Sequence, residues 1–382
     1  MAKLFIEDTS LTAIGDAIRS KTGGNELLSV PTGMVDAINS IATGGGNIEV
    51  EPIVLDGVCD YACAGDIASN YIKLFGNTIS TENVGSTKSM FEYFTLKKIP
   101  FDINMDNSWI KNMAYMFNGA YYLEELPKIY NAYPENLERI FSDCWALREI
   151  PEDYMDTWNF DRFYSYGYAN MSYMFYACRS LKAIPSNILK KLYCIATRTY
   201  YQFYYGTFEY CYVLGELNGL AVTPEDISIT SNIFYQTFGN CGRLKSVTFD
   251  TNEDGTPKVV KWANQTIELV DIGYNKYVSD ITSYNSGLTE ETRIIDGDTW
   301  EALKDNPDSW TTEPFLSRYT HKAAVETINS LPDTSAFLSS NGGTNTIKFS
   351  SMEGLNTDGG PGELTEEEIA VAAAKGWTVT FV

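Results

Sequence analysis

The sequence predicts an α/β repeat protein: a solenoid preceded by a small N-terminal helical module and followed by a C-terminal helix–strand cap. Three observations favour this class. A short apolar pattern recurs six times through the centre of the 382-residue chain. Helical periodicity marks the first 46 residues, and two helix–strand units close the sequence. The expected domains are therefore 1–46, 47–262 and 263–382.

The N-terminal module is predicted to contain two short helices. Ser10 is a favourable N-cap for the first, and Pro31 suits the first turn of the second. The glycine run at 44–46 then indicates a flexible linker. Two short helices bury little surface alone, so they need a partner. The module is either a local helical hairpin or a unit for attachment and oligomerisation.

The central array rests on the pattern F-x-x-C-x-x-L-x-x-I-P. Its first slot holds Met90, Phe117, Phe141, Phe175, Phe208 and Phe238. Its second slot holds Tyr93, Ala120, Cys144, Cys178, Cys211 and Cys241. Its third slot holds Leu96, Leu123, Leu147, Leu181, Leu214 and Leu244, and its fourth Ile99, Leu126, Ile150, Ile184, Leu217 and Val247. The first-slot residues are 24 to 34 positions apart, which a solenoid tolerates because stacked core positions are joined by connections of free length.

Each repeat is expected to place a short helical turn at F-x-x-C and a strand around L-x-x-I. A slot that accepts cysteine or a small residue indicates packing, so no disulfides are expected there. Cys59 and Cys63 have a spacing that could suit a metal or a redox pair. The chain has one histidine and no second cysteine pair of zinc-site spacing, so we predict no metal site and no cofactor.

The C-terminal region continues the alternation of helix and strand. Residues 251–262 indicate a turn followed by a strand that closes the array, and a helix is expected near Thr299–Lys304. A second helix is predicted from the spacing of Val325, Ile328 and Leu331. The strand expected after it covers 344–349.

A final helix–strand unit ends the chain. Thr365 and Glu368 form a capping-box pattern at the start of its helix. The expected strand covers 377–382. Such a terminal unit would cap the open end of the repeat array against water and against pairing with other strands.

The charge balance excludes some partner classes. The net charge of −22 repels phosphate backbones, so nucleic acid and anionic membranes are not expected partners. The longest apolar runs fall well short of the roughly 20 residues of a membrane span, so membrane insertion is not expected. The N-terminal stretch also lacks the basic start and apolar run of a secretory signal.

Tyrosine is the outstanding feature of the composition, with 26 residues concentrated in 115–133 and 154–212. Paired tyrosines cannot all point into a core, and tyrosine is favoured for binding because it offers a rigid apolar face with a polar tip. The predicted recognition surface consists of Trp158, Tyr164, Tyr166, Tyr168, Tyr200, Tyr201, Tyr204 and Tyr205. The alternative is that these rings only pack between long repeats.

Catalytic residues are not predicted. Acidic pairs such as Asp102 with Asp106, or the group Asp153, Asp156 and Asp161, could be imagined as the acid and base of a glycosidase. With 50 acidic residues such pairs arise by chance, and solvated surface charge is the favoured interpretation. His321 is the only histidine, and the sequence has neither a nucleophile-elbow motif nor a phosphate loop.

The repeat resembles the BspA-like leucine-rich repeats of bacterial and phage surface proteins. The residues that carry the resemblance are NMAYMFNGAYYLEEL at 112–126 and NMSYMFYACRSLKAIP at 170–185, and it covers about 90–250. The fifth repeat departs from it, because QFYYGTF at 202–208 lacks the Asn-Met lead-in. The N-terminal module, with AIGDAIRSKTGG at 13–24 and VPTGMVDAINSIA at 30–42, is similar to the start of tail and tail-fibre proteins of phages infecting Gram-positive bacteria. The C-terminal stretch looks like the ending of phage and prophage leucine-rich-repeat proteins.

These resemblances imply a structural and receptor-binding protein of a phage virion, in the tail fibre or baseplate. Its implied partners are a bacterial cell-surface glycan or protein, other virion proteins bound through the N-terminal module, and further copies of the chain in a homo-oligomer. A virion protein assembles in the host cytoplasm and leaves on lysis, which needs no secretory signal. The alternatives are a prophage-encoded adhesin without a virion role and a surface-glycan-degrading enzyme.

Overall fold

The computed structural model describes residues 53–75, 79–105, 111–160, 170–192, 204–223, 225–241, 244–270, 319–349 and 364–382. The predicted N-terminal module and the helix expected near 299–304 lie outside these ranges. The described strands are short, and every strand pair among them is parallel.

The elements follow in chain order. They are β1 Ile53–Val58, α1 Gly65–Phe75, β2 Ile79–Ser86, β3 Ile103–Asn104, β4 Lys111–Asn112, β5 Ile129–Tyr130, β6 Pro134–Asn136, α2 Ser186–Lys191, β7 Glu216–Leu220, β8 Ser228–Ile229, β9 Ser246–Phe249, β10 Lys261–Trp262, β11 Thr266–Leu269, α3 His321–Ser330, α4 Ser335–Asn341, β12 Asn345–Phe349, α5 Glu366–Ala374 and β13 Trp377–Phe381. Two-stranded sheets join β1 to β2, β3 to β5, β4 to β6, β7 to β9 and β8 to β10, while β11, β12 and β13 form one three-stranded sheet.

The F-x-x-C segments of successive repeats lie side by side and exchange backbone hydrogen bonds. The Phe91 amide donates to the Met116 carbonyl of the next repeat at 2.7 Å. The neighbouring Glu92 amide instead donates to the Ser89 carbonyl within its own turn at 3.1 Å. This alternation recurs along the stack, at Phe117 to Ile140, Phe141 to Met174, Phe175 to Thr207 and Phe208 to Thr237. Half of the amides in each segment therefore hold the next repeat.

The helical turn expected at F-x-x-C is wrong, because each segment is a run of tight turns. Two residues four positions apart have positive φ in every segment: Tyr61 and Gly65, Ser89 and Tyr93, Tyr115 and Gly119, Arg139 and Asp143, Tyr173 and Ala177, Gly206 and Tyr210, Gln236 and Asn240. An α-helical turn would direct its amides along its own axis, whereas these amides must reach the neighbouring repeat. The left-handed conformation costs roughly 1–2 kcal/mol per non-glycine residue, and the bonds between repeats offset it.

The register of the first repeat differs from the expected one. Phe91, not Met90, occupies the first slot, since its ring stacks on that of Phe117 with centroids 5.5 Å apart and planes 6° apart. Phe94 is buried in the second slot, and Tyr93 points outward with 53% of its surface exposed. This repeat is one residue shorter before its leucine, so counting back from Leu96 misaligns the earlier slots.

A further segment precedes the six predicted repeats. The Tyr61 amide donates to the Lys88 carbonyl at 3.0 Å, and the Cys63 amide to the Met90 carbonyl at 2.8 Å. Cys63 thus stands where later repeats carry phenylalanine. Burial raises its pKa to about 12, with a smaller contribution from Cys59, so the thiol stays protonated. Within the described ranges no three potential metal ligands come together.

The core of the stack contains a column of phenylalanine rings. Neighbouring centroids are 5.5 to 6.1 Å apart from Phe91 to Phe238. The second-slot cysteines lie beside this column, and each thiol donates to the carbonyl of the preceding repeat's phenylalanine, at 3.0 to 3.2 Å, for Cys144, Cys178, Cys211 and Cys241. Burial raises the pKa of each thiol. Cys144, Cys178, Cys211 and Cys241 form no disulfide.

The C-terminal unit covers the edge of β9, the strand of the sixth predicted repeat. The Val247 amide donates to Tyr319 Oη at 2.9 Å, and the Phe249 amide donates to Ser330 Oγ at 3.1 Å. The hydroxyls of Tyr319 and Ser330 thus accept hydrogen bonds from β9 amides that would otherwise bond to a further strand. The predicted capping box of Thr365 with Glu368 and the predicted final strand are confirmed.

Candidate functional site

Two of the residues predicted to form the recognition surface lie in the core. Trp158 is 7% exposed, and its indole Nε1 donates to the Ile129 carbonyl at 2.9 Å. Tyr204 is 2% exposed, and its hydroxyl donates to the Ala221 carbonyl at 2.8 Å. Each polar tip finds an internal acceptor, so these rings can be buried whole. They are therefore packing residues, which corrects the expectation for both.

Tyr205 is half-buried at the surface of the stack. The other predicted members, Tyr164, Tyr166, Tyr168, Tyr200 and Tyr201, lie outside the described residues. Among the described residues of the predicted surface, Tyr205 is thus the one that solvent reaches, and its neighbours on the surface come from other repeats and were not predicted.

The outward side of the tight turns carries a ladder of aromatic rings, called here the tyrosine face. Its exposed or half-buried members are Tyr61, Tyr93, Tyr115, Tyr121, Tyr173, Tyr176, Tyr205, Tyr210 and Tyr235. Tyr205 lies between Tyr173 and Tyr235, with both centroid distances at 5.0 Å. Tyr176 and Tyr210 form a second contact, edge to face, with centroids 5.4 Å apart. Tyr205 and Tyr235 occupy the same position of successive repeats, one residue before the positive-φ residues Gly206 and Gln236.

Two arginines lie against these rings. The guanidinium carbon of Arg139 is 4.1 Å from the Tyr173 ring centroid and 5.6 Å from that of Tyr176. The guanidinium carbon of Arg179 is 4.2 Å from the centroid of Trp145, whose ring in turn contacts Tyr121 of the face at 4.2 Å. Cation–π contacts of this kind hold a ring and a charge in fixed relation. The face therefore combines flat apolar surface with positive charge inside a strongly acidic chain.

Glycines in neighbouring repeats make room for two of the rings. A Cβ added to Gly119 would lie 2.5 Å from a carbon of the Tyr93 ring, and a Cβ added to Gly206 would lie 2.5 Å from a carbon of the Tyr173 ring. Both glycines also have positive φ. The rings consequently rest directly on backbone, which keeps them flat against the stack. The glycine that stands one repeat after an outward tyrosine was the sequence signal that could have located this face.

Carboxylates complete the tyrosine face. Glu138 accepts from the Tyr115 hydroxyl at 3.0 Å and from the Asn170 amide at 3.1 Å. Glu209 is only 7% exposed, and burial raises its pKa to about 7 although Arg139 opposes the shift. Burial also raises the pKa of Tyr173 and Tyr176, so their hydroxyls remain neutral hydrogen-bond donors. The face thus offers donors, acceptors and aromatic surface together, as binding sites require.

The acidic residues considered as catalytic candidates have other contacts where they are described. Asp156 forms an ion pair with Lys191 at 2.6 Å, and Asp102 accepts from the Tyr130 hydroxyl at 3.4 Å. Asp153 is exposed, while Asp106 and Asp161 lie outside the described residues. His321 Nε2 is 2.9 Å from Glu368 Oε2, a carboxylate that also caps α5.

Comparisons of the chain with family models, with characterised proteins and with solved structures found no match. None of the described helices is long and apolar enough to cross a bilayer. The resemblance to BspA-like repeats accordingly stays a prediction from the sequence.

Proposed function

We propose that this chain is a non-enzymatic binding protein, a leucine-rich-repeat solenoid whose tyrosine face recognises a ligand on the bacterial surface. The observation that carries the proposal is the ladder of outward tyrosines across successive repeats, interleaved with Arg139 and Arg179. A solenoid suits such a role because it repeats one binding element along an extended surface.

A cell-surface glycan is the ligand class favoured by this chemistry, with a surface protein as the alternative. Aromatic faces stack on sugar rings, and fixed phenol, carboxylate and guanidinium groups can bind hydroxyls. Tyr93 and Tyr235 are the most accessible rings in the described part of the face, at 53% and 48% exposed. They are held by packing before any ligand arrives, so little side-chain entropy would be lost on binding.

The resemblances of the two chain ends favour a place in a phage tail. In this proposal the module at 1–46 attaches the chain to other virion proteins and to further copies of itself. Antibodies against the chain should label purified particles. Labelling of uninduced cells without labelling of particles would favour the prophage-encoded adhesin instead.

Pull-down with cell walls of candidate Gram-positive hosts tests the binding role. The variant replaces Tyr93, Tyr205 and Tyr235 with alanine and leaves the buried Tyr204 intact. Tyr130→Ala is the matched control, because Tyr130 is 37% exposed but lies on β5, outside the tight turns. We expect the triple variant to lose at least about tenfold in affinity, since each exposed ring contributes about 0.5–1.5 kcal/mol.

The two variants must both fold for this comparison, which circular dichroism and urea unfolding establish. Equal binding by the triple variant and the native chain would exclude the tyrosine face as the recognition surface. Binding lost equally in Tyr130→Ala would indicate a different surface. Release of sugar fragments from the walls would contradict the non-enzymatic role.

A further inference from the structure

A cavity of about 500 Å³ lies beside the segments that follow β7 and β9. Its walls come from the segment that follows β7, from Lys190 of α2, and from the hairpin that follows β9. None of its lining residues belongs to the tyrosine face. Ala221 and Val222 form a buried apolar wall, and Val259 adds an exposed apolar edge. One side of the cavity therefore suits a compact carbon skeleton.

Two ammonium groups converge on one carboxylate at the other side of this cavity. Lys258 makes a close ion pair with Asp250, whose side chain is largely buried. Lys190 Nζ lies 3.6 Å from the second oxygen of the same carboxylate, beyond hydrogen-bond distance. The amide of Asp250 donates to the Leu220 carbonyl at 2.8 Å, so the acidic residue is fixed by backbone. One negative charge thus faces two positive charges.

The local charge favours an added anion. Asp250 is already neutralised by Lys258, so the donors of Lys190 have no close acceptor in the described structure. Two ammonium groups held together repel each other, and an anion between them would relieve that repulsion. The acidic Glu225 also lines the cavity and is exposed to solvent, as is Lys190, but no ion pair joins it to Lys190 or Lys258 among the described residues.

We infer that this cavity binds a small organic oxyanion, a carboxylate or phosphate carried on a skeleton with an apolar face, as in an acidic sugar. The oxyanion accepts from Lys190 and Lys258, and the skeleton rests on Ala221 and Val222. The site is independent of the proposed role of the tyrosine face. If the glycan proposal also holds, the two sites would contact different parts of one acidic polymer.

Titration calorimetry on the full chain tests this inference with three probes that share one ring. Glucuronate presents a carboxylate, glucose 6-phosphate presents a phosphate, and glucose presents neither. We expect at least one acid to bind with millimolar affinity that weakens with added salt, and glucose not to bind. The preference between the two acids identifies which oxyanion the site takes.

Lysine variants locate the binding. Lys190→Met keeps the side-chain stem and leaves Asp250 paired with Lys258, so folding should be preserved. It should weaken the acid at least about tenfold, since a hydrogen bond to a charged group contributes about 1.5–3 kcal/mol. Lys97→Met is the matched control, because Lys97 pairs with Glu124 at 3.0 Å elsewhere on the surface. Undiminished binding in Lys190→Met, equal binding of glucose, or no acid binding at tens of millimolar overturns the inference.

Discussion

The same tight turns carry side chains on an inner and an outer side, and the two sets of side chains differ in their exposure to solvent. Inside, the phenylalanine column from Phe91 to Phe238 is uniform and buried, and each second-slot thiol donates to a neighbouring carbonyl. Outside, the tyrosine face mixes rings with arginines and carboxylates, and rings such as Tyr93 remain largely accessible. The side chains of the inner side are packed within the fold, whereas rings of the outer side stay accessible to solvent.

This difference separates residues that stabilise the stack from residues proposed to recognise a ligand. A side chain that finds both its packing and its hydrogen bonds inside the stack contributes to stability, as Tyr204 does. An aromatic side chain that is held flat but left accessible costs folding little and remains available to a ligand, as for Tyr235. Substitutions on the two sides should therefore change different measured quantities.

The largest expected effect comes from opening the inner column. Phe141→Ala removes a fully buried ring that stacks on both Phe117 and Phe175. Loss of the buried surface and the resulting cavity should lower the free energy of unfolding by about 3–5 kcal/mol, measured by urea denaturation. Tyr93→Ala is the outer-side control and should change it by less than about 1 kcal/mol. Similar losses in both variants would contradict the division between the two sides.

An intermediate effect is expected where the outer ring rests on backbone. Gly206→Ala would place a Cβ 2.5 Å from the Tyr173 ring at a residue whose φ is +58°. We expect a loss of about 1–3 kcal/mol in the free energy of unfolding. Gly255→Ala, at φ +79° with open space around it, measures the backbone contribution alone.

A double-mutant cycle separates the two causes of that loss. In a Tyr173→Ala background, Gly206→Ala should be destabilising only to the extent seen for Gly255→Ala, because the clashing ring is gone. A loss that stays unchanged in this background would show that the ring does not press on the glycine.

The smallest effect concerns the pH dependence of the outer side. The pKa of Glu209 is about 7 in the folded chain, above its ordinary value of 4.5, so the folded state binds this proton more tightly than the unfolded state. The stabilisation is fully present below pH 4.5 and is lost as the pH rises through 7. The free energy of unfolding should therefore decrease by roughly 1–3 kcal/mol between pH 5 and 8 through this group.

Glu209→Gln should remove this component of the pH profile, and Glu253→Gln, at an exposed position of the hairpin, should keep it. Urea denaturation at pH 5, 6.5 and 8 measures both. Parallel pH profiles for the native chain and Glu209→Gln would show that this carboxyl does not titrate in the stated range.

The register of the repeats was predictable from the sequence only where the residue pattern is regular. The phenylalanines predicted for the first slot of five repeats, from Phe117 to Phe238, are the residues that stack in the column, because buried positions of equal chemistry recur. The repeat of Phe91 is misaligned in the predicted pattern because it is one residue shorter, and the segment of Cys63 is absent from the pattern because cysteine replaces phenylalanine there. A pattern records residue types, whereas the stack selects positions by hydrogen bonds that any residue's backbone can make.

The tyrosines show a similar limit. Composition identified tyrosine as the notable residue, but Tyr204 and Tyr205 are adjacent and have opposite fates, one in the core and one at the surface. Their separation depends on which side of a tight turn each occupies, and positive-φ residues such as Gly206 break the 3.6-residue periodicity of a helix. The clustering of tyrosines in the sequence therefore predicted a segment of the chain. The members of the tyrosine face instead come from different repeats, whose first slots are 24 to 34 residues apart.

By itself the sequence determined the recurrence of apolar slots, the acidic balance of the chain, the capping box at Thr365 and the final helix–strand unit, because each rests on neighbouring residues or on a regular spacing. Only the tertiary structure decided the tight turns, the shared amides between repeats, the tyrosine face and the pairing of Lys190 and Lys258 around Asp250. These features join residues distant in the chain, and their geometry follows from how one repeat settles on the next.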